Sequence, residues 1–226
     1  QSTDLKVDLT AFLEGPYNGS TMTQGLAGLV PLNQPYNTSP WNYTGTESVG
    51  AIPANTIDWV LVELRNATTA GGATSGTRIG RKAAFLRNDG KIVNLDGTLN
   101  LNFGPLTVTN SLFVIVHHRN HVSVLSATGV TQTGGIYTYN FTTDSGQAYG
   151  GTLAHKLIGS GVWGLFGGNS DGNGLVDSND EDPVWENQAG TKGYLKSDFN
   201  FDTQSNNKDK DNIWAPNLGK GNQVPN

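Results

Sequence analysis

The sequence predicts a mainly β fold: an antiparallel β-sandwich followed by a small duplicated calcium-loop module. Short apolar stretches alternate with tight-turn residues, no long stretch has helical periodicity, and two acidic loops of equal spacing lie near the C-terminal end. The 30 glycines and a charged fraction of only 15% are typical of a turn-rich β protein. We expect residues 1–160 to form the sandwich and residues 161–226 to form the module packed on it.

The apolar patterns predict short strands along the first two thirds of the chain. They lie at 4–13, 57–65, 78–87, 91–95, 99–103, 112–117, 121–127 and 136–141. The strand at 57–65 is apolar on nearly every residue in its middle, which indicates a central position in a sheet. Residues 31–53 are predicted to form an ordered loop, 67–77 a mobile hairpin tip and 148–158 a short helix.

The two acidic loops are loop 1, residues 169–180, and loop 2, residues 198–209. In both loops, oxygen-bearing side chains fall at positions 1, 3, 5, 9 and 12, and position 7 offers its backbone carbonyl. This is the spacing by which a 12-residue loop wraps one calcium ion, a hard cation that takes several oxygen ligands. The predicted ligands of two Ca2+ ions are Asn169, Asp171, Asn173, Leu175, Asp177 and Asp180 in loop 1, and Asp198, Asn200, Asp202, Gln204, Asn206 and Asp209 in loop 2.

The two loops belong to a sequence repeat with a shift of 29 residues. The shift also superimposes flanking residues of the same type: Gly164 on Gly193, Val184 on Ile213, Trp185 on Trp214, and Gly190 on Gly219. A single acidic loop is equally compatible with a polar, disordered surface segment. A register-matched pair with shared flanking residues favours calcium binding.

Charge and cysteine usage indicate an extracellular protein without a nucleic-acid partner. Residues 169–211 hold ten acidic and four basic residues, whereas the rest of the chain is close to neutral. There is no cysteine, so bound calcium is expected to replace disulfides as a structural staple. No apolar run approaches a membrane span, and a start at Gln1 is typical of a mature secreted chain.

Several motifs resemble one known domain type. They are Leu-Glu-Gly-Pro-Tyr-Asn-Gly at 13–19, Gln-Pro-Tyr-Asn-Thr-Ser-Pro-Trp at 34–41 with Gly-Thr-Glu at 45–47, Asp-Trp-Val-Leu-Val-Glu-Leu-Arg at 58–65, His-Arg-Asn-His at 118–121, and Trp-Ala-Pro-Asn-Leu-Gly at 214–219. The chain resembles the C-terminal β-domain with dockerin-like calcium repeats of secreted Bacteroidetes-type, haemagglutinin-like surface proteins. This resemblance implies a secreted β-rich domain with EF-hand-like repeats and no established activity.

Loop 2 departs from the calcium-loop pattern at two positions. Thr203 replaces the glycine expected at position 6, where the chain turns sharply, and Ser205 replaces the usual aliphatic residue at position 8. We therefore expect the second site to be weaker or distorted.

Two further groups of side chains have alternative interpretations. Tyr36, Trp41 and Tyr43 are compatible with a glycan-contacting surface, but also with aromatics that cover one end of the core. His117 and His121 share one face of an extended strand and are compatible with a two-histidine zinc site. Structural histidines are the favoured interpretation, since no carboxylate lies nearby in sequence.

The sequence contains no paired carboxylates, Ser-His-Asp arrangement or phosphate loop, so we expect no enzymatic activity. We predict an extracellular, calcium-binding structural or adhesive surface protein of bacterial origin. It is expected to assemble into a filament or surface layer, with residues 5–13 pairing with a neighbouring subunit. The alternative is a binding module for a carbohydrate or a cohesin-type protein.

Overall fold

The computed structural model describes residues 4–226, so the expectation for Gln1 lies outside the described residues. The fold is mainly β with antiparallel sheets, as predicted. Along the chain the strands are β1 (Lys6–Thr10), β2 (Thr56–Ala67), β3 (Arg78–Arg87), β4 (Ile92–Val93), β5 (Leu101–Asn102), β6 (Ser111–His117), β7 (Val124–Leu125), β8 (Thr131–Thr133), β9 (Ile136–Asn140), β10 (Lys156–Gly159) and β11 (Val162–Gly164).

The larger sheet has five strands in the order β4-β3-β2-β6-β7, and every pair of adjacent strands is antiparallel. The long strand β2 lies at its centre, as its continuous apolar run predicted. Alternate residues of β6 point to opposite faces: Val114 packs into the main core, and Phe113 and Ile115 pack into a second cluster. Both faces of the central strands are therefore covered.

The smaller sheet has the order β5-β1-β9-β8 and faces the main core through the buried residues Val7 and Leu9 of β1. Strand β1 pairs with β5 on one side and, in parallel, with β9 on the other. The proposed role of residues 5–13 as a strand offered to a neighbouring subunit is therefore wrong for this fold, because both edges of β1 already have partners within the chain. An isolated bridge between Thr10 and Lys91 links the two sheets.

The predicted strands β2, β3, β6 and β9 are confirmed with small differences at their ends. The predicted helix at 148–158 is wrong: this segment holds a 3-10 turn, Gly151–Leu153, and the strand β10, which forms a hairpin with β11. The tip of the β2–β3 hairpin is packed, because Ala70 and Ala73 are buried in the second cluster. No helix among residues 4–226 is long and apolar enough to cross a membrane.

The C-terminal part contains two short helical segments, each beginning in the last three residues of an acidic loop. The first runs through α1 (Ser178–Asp180), a π-helical turn and α2 (Glu186–Gln188). The second runs through α3 (Asn207–Asp209) and a π-helical turn, Lys210–Trp214. The expected boundary at 160/161 falls in the turn of the β10–β11 hairpin, and the Leu165 N–H donates to the Phe12 carbonyl at 2.8 Å.

Candidate metal centre

Loops 1 and 2 share one internal scaffold of hydrogen bonds. In both, the backbone N–H groups of positions 3 and 9 donate to the side chain of position 12. The N–H groups of positions 5, 6, 7 and 11 donate to the side chains of positions 3, 1, 5 and 9, respectively. These bonds fold each loop back on itself, so the two loops are alike in conformation as well as in sequence.

The carboxylate at position 12 closes each loop and begins the helical segment behind it. Asp180 and Asp209 are fully buried, and each completes a capping box with the residue at position 9. Burial raises the pKa of Asp180 to about 7, and the nearby charges of Asp171 and Asp177 act in the same direction. The loop therefore holds a carboxylate that is costly to ionise without a cation.

Loop 2 has the same electrostatic character. Burial, together with the nearby carboxylates of Asp209 and Asp202, raises the pKa of Asp198 to about 7. Burial also raises the pKa of Asp209. A divalent cation held between these oxygens would offset both the burial of the carboxylates and their mutual repulsion.

The two repeats are paired reciprocally through their backbones. Val176 and Ser205, at position 8 of the two loops, each bond to the segment that follows the helix of the other repeat. Val176 accepts from Gly219 at 2.9 Å and donates to Lys220 at 2.8 Å. Ser205 accepts from Gly190 at 2.7 Å and donates to Thr191 at 3.1 Å. The 29-residue shift converts one set of bonds into the other.

The tryptophan of each repeat contacts the loop of the other. Trp185 Nε1 donates to the carbonyl of Asn206 at 3.1 Å, and Trp214 Nε1 donates to the carbonyl of Asp177 at 3.0 Å. Both acceptors occupy position 9 of their loops. The repeats therefore form one unit with approximate twofold symmetry, in which neither loop is held by its own repeat alone.

Thr203 does not distort loop 2. Its N–H still donates to Asp198 Oδ2 at 2.9 Å, although its φ of 77° is unfavourable for a β-branched residue. In loop 1, a Cβ on Gly174 would lie 1.8 Å from Nδ2 of Asn222. For loop 2, the 29-residue shift places Gly193 at the position of Asn222. In loop 1 a glycine at position 6 therefore faces an asparagine, whereas in loop 2 Thr203 at position 6 faces a glycine. The side chain of Thr203 therefore has room.

The ligands predicted for each ion all come from a single loop, but the carboxylates among them do not form a metal-binding group by themselves. Among residues 4–226, no three His, Asp or Glu side chains form a group that could hold a metal ion. The predicted set in each loop also includes two Asn side chains and one backbone carbonyl, supplied by Leu175 or Gln204.

A buried polar cluster, which no local sequence pattern indicated, connects the segment before loop 2 to the larger sheet. The Asp58 carboxylate accepts from Arg119 Nε at 2.7 Å and from the Tyr194 hydroxyl at 2.5 Å, and it contacts His118 Nε2 at 3.3 Å. His121 is fully buried against His118, with their Nδ1 atoms 3.2 Å apart. His118 and His121 are therefore buried and hydrogen-bonded within the chain, and His117 is hydrogen-bonded separately to Ser123 at 2.8 Å.

Tyr36 and Tyr43 cannot form the glycan-contacting surface that the sequence allowed, because both are buried in the main core. The Tyr36 hydroxyl donates to the carbonyl of Trp59 at 2.8 Å, and the Tyr43 hydroxyl donates to Glu47. Only Trp41 is partly exposed. The rings of Tyr36 and Tyr43 bury their apolar surface by covering the core, which is more favourable than exposing that surface to water.

No family model matches the chain, and no curated protein or solved structure is significantly similar to it.

Proposed function

We propose that residues 161–226 form a duplicated, dockerin-like module that binds two Ca2+ ions and clamps the C-terminal end of an extracellular, non-enzymatic β protein. The observation that carries this proposal is the hydrogen-bond scaffold common to loops 1 and 2. A scaffold maintained in two copies, with oxygen side chains at equivalent positions, supports a shared ligand.

Electrostatics support the same proposal. The chain carries a net charge of −5, and its acidic excess lies in and around the two loops. Two calcium ions would neutralise most of this charge. Loops of this type bind calcium with Kd values of about 10⁻⁴–10⁻³ M in extracellular modules, which suits millimolar external calcium. The chain has no cysteine and can form no disulfide, so bound calcium would stabilise the fold in place of disulfides.

The clamp would act on the β domain through loop 2. The backbone of loop 2 lies so close to Gly15 and Gly25 that neither position has room for a side chain. A Cβ on Gly15 would lie 1.8 Å from the carbonyl oxygen of Phe199, and a Cβ on Gly25 would lie 1.8 Å from the carbonyl oxygen of Phe201. Both phenylalanines are buried. An ion that orders loop 2 would therefore also order its contact with the N-terminal segment, as expected of a structural or adhesive surface protein. Self-association into a filament or layer would use a surface other than β1.

A binding module for a glycan or a cohesin-type protein is the second candidate. Trp41, Arg65 and His117 line a cavity of about 160 Å³ beside Gly172 of loop 1. An aromatic ring next to hydrogen-bonding side chains is suited to a sugar. A glycan array that detects binding to the native chain but not to Trp41→Ala would favour this candidate over a purely structural role.

The calcium proposal is tested by calorimetric titration of chelator-treated protein. We expect two bound ions per chain, and one ion each in Asp171→Ala and Asp202→Ala. Asp211→Asn is the matched control, because Asp211 is an exposed carboxylate of the same module outside the ligand positions. Identical melting temperatures in calcium and in chelator would refute the proposal, since a ligand of the folded state must stabilise it.

A further inference from the structure

Three side chains from distant parts of the chain meet where the module joins the β domain. They are Glu14, Lys156 at the start of β10, and Asn217 in the 3-10 turn Ala215–Asn217. Lys156 Nζ donates hydrogen bonds to Asn217 Oδ1, at 2.8 Å, and to Glu14 Oε1. Asn217 Nδ2 donates to Glu14 Oε2 at 2.6 Å. Each group therefore touches the other two.

The triad is largely shielded from solvent and is hydrogen-bonded to the backbone of Gly167. Asn217 is 0% exposed, and the side chains of Glu14 and Lys156 are 11% and 26% exposed. The backbone of Gly167 holds two of the three: its N–H donates to Glu14 Oε2 at 3.0 Å, and its carbonyl accepts from Asn217 Nδ2 at 2.9 Å. The ring of Phe166 lies 6.0 Å from Lys156 Nζ.

We propose that Lys156 and Asn217 become joined by an intramolecular amide bond. Lys156 Nζ attacks the side-chain carbonyl carbon Cγ of Asn217, the new Nζ–Cγ bond forms, and the Cγ–Nδ2 bond breaks. The side-chain ammonium and the carboxamide become a secondary amide and an ammonium ion. The reaction is balanced without an oxidant, a reductant or any further reactant.

Glu14 is placed to move the protons. Its Oε1 accepts a hydrogen bond from Lys156 Nζ, the nitrogen that must lose protons. Its Oε2 accepts a hydrogen bond from Asn217 Nδ2, the nitrogen that must leave as ammonia. A carboxylate between nucleophile and leaving group can accept the proton from the first and deliver it to the second. Fixing the three groups within hydrogen-bonding distance in the folded chain replaces a slow encounter by a local reaction.

Other lysines that pair with acids lack this arrangement. Lys91 bonds to Asp8, and Lys210 bonds to Glu181. In the described part of the chain, only Lys156 has an Nζ atom in contact with both a carboxylate and a side-chain carboxamide. The triad is thus distinct from an ordinary surface ion pair.

The bond would close a covalent ring across 61 positions that encloses both acidic loops. The chain has no cysteine, so this amide would supply the permanent cross-link that disulfides supply elsewhere. It would fasten the module to the β domain whether or not calcium is bound. The amide bond would form independently of calcium binding.

The test is mass spectrometry of the denatured, full chain after it has folded. The intact mass is expected to be about 17 Da below that of the linear sequence, because one ammonia is lost. Cyclisation of Gln1 would remove the same mass, so proteolysis decides. A cross-linked peptide containing Lys156 and Asn217 supports the proposal. Recovery of both residues only in separate linear peptides would overturn it.

Variants identify the groups involved. Lys156→Arg keeps the positive charge beside Glu14, and Glu14→Gln keeps the side-chain shape; both are expected to show no cross-link. Lys91→Arg, at an ion pair without a carboxamide, should retain the cross-link. The melting temperature of Lys156→Arg should be lower by about 10 °C, from the loss of a ring of this size. Retention of the Lys156–Asn217 peptide in Glu14→Gln would overturn the role of Glu14.

Discussion

The side chain of Asn120 donates a hydrogen bond from Nδ2 to the backbone carbonyl of Asp198, at 2.9 Å. The backbone carbonyl of Asn120 accepts from the N–H of Asn169 at 3.2 Å. Asp198 and Asn169 are the first residues of loops 2 and 1. One fully buried residue next to the larger sheet therefore fixes the starting point of both loops.

We expect Asn120→Ala to lower the free energy of unfolding by about 1–3 kcal/mol, because it leaves the buried Asp198 carbonyl without this donor. It should weaken calcium binding at loop 2 more than at loop 1, since the bond to Asn169 uses only the Asn120 backbone. Denaturation and calorimetric titration measure the two effects. The exposed Asn110→Ala is the control. Equal weakening of both loops would contradict this account.

The exchange of glycine and side chain at position 6 predicts an asymmetric response to mutation. Gly174→Thr should destabilise the protein by about 2 kcal/mol or more, because its Cβ would lie 1.8 Å from Asn222 Nδ2 and its φ is 93°. Adding Asn222→Gly reproduces the arrangement of loop 2 and should restore part of the loss. Thermal denaturation of the single and double variants measures this coupling. Strictly additive effects would show that the two positions are independent.

Replacement of Thr203 by glycine should relieve backbone strain in loop 2. Thr203→Gly should raise the free energy of unfolding by about 1 kcal/mol, because glycine adopts a φ of 77° without steric cost. The gain is measured by denaturation in calcium. Thr131→Gly, at an exposed position in β8, lacks this strain and should not stabilise. A loss of stability in Thr203→Gly would refute the strain argument.

The reciprocal tryptophan contacts predict that each repeat supports the other's site. Trp185→Phe removes the donor to Asn206 and should weaken calcium binding at loop 2, at a cost of about 0.5–1.5 kcal/mol. Trp214→Phe removes the donor to Asp177 and should weaken loop 1 by a similar amount. Titration in variants that retain one functional loop, Asp171→Ala or Asp202→Ala, separates the two sites. An effect confined to the mutated repeat's own loop would exclude the crossed arrangement.

His155 predicts a pH dependence of stability. Burial lowers its pKa to about 4, whereas a histidine in the unfolded chain titrates near 6.5. The unfolded state therefore binds the proton first, and the stability contributed by neutral His155 is lost as the pH falls from about 6.5 to about 4.

The comparison with His155→Phe isolates this contribution. Phenylalanine retains an aromatic ring beside Phe141 and Trp163 but does not titrate. The stability difference between the two proteins should shift towards the variant by about 1.4 kcal/mol per pH unit within that interval. Denaturation at several pH values provides the measurement, and a constant difference would show that His155 is not the group responsible.

Local sequence patterns were sufficient for the strands whose apolar residues repeat over several positions. The continuous apolar runs of β2 and β6 reflect burial on both faces of the sheet, and such a run is visible in the sequence as consecutive apolar residues. Strands β10 and β11 were missed because they are short and only partly buried, so no period is visible. For the same reason, residues 148–158 were wrongly predicted to be helical.

The sequence by itself determined the 29-residue repeat and the spacing of oxygen side chains in loops 1 and 2, because loop ligands are encoded by residues close together in the chain. Only the tertiary structure decided that the repeats cross-pair, that Asn120 holds both loops and that Tyr36 and Tyr43 are buried. It alone brought Glu14, Lys156 and Asn217 into mutual contact. These relationships join residues far apart in sequence, and packing of the whole chain, rather than any local pattern, sets which of them meet.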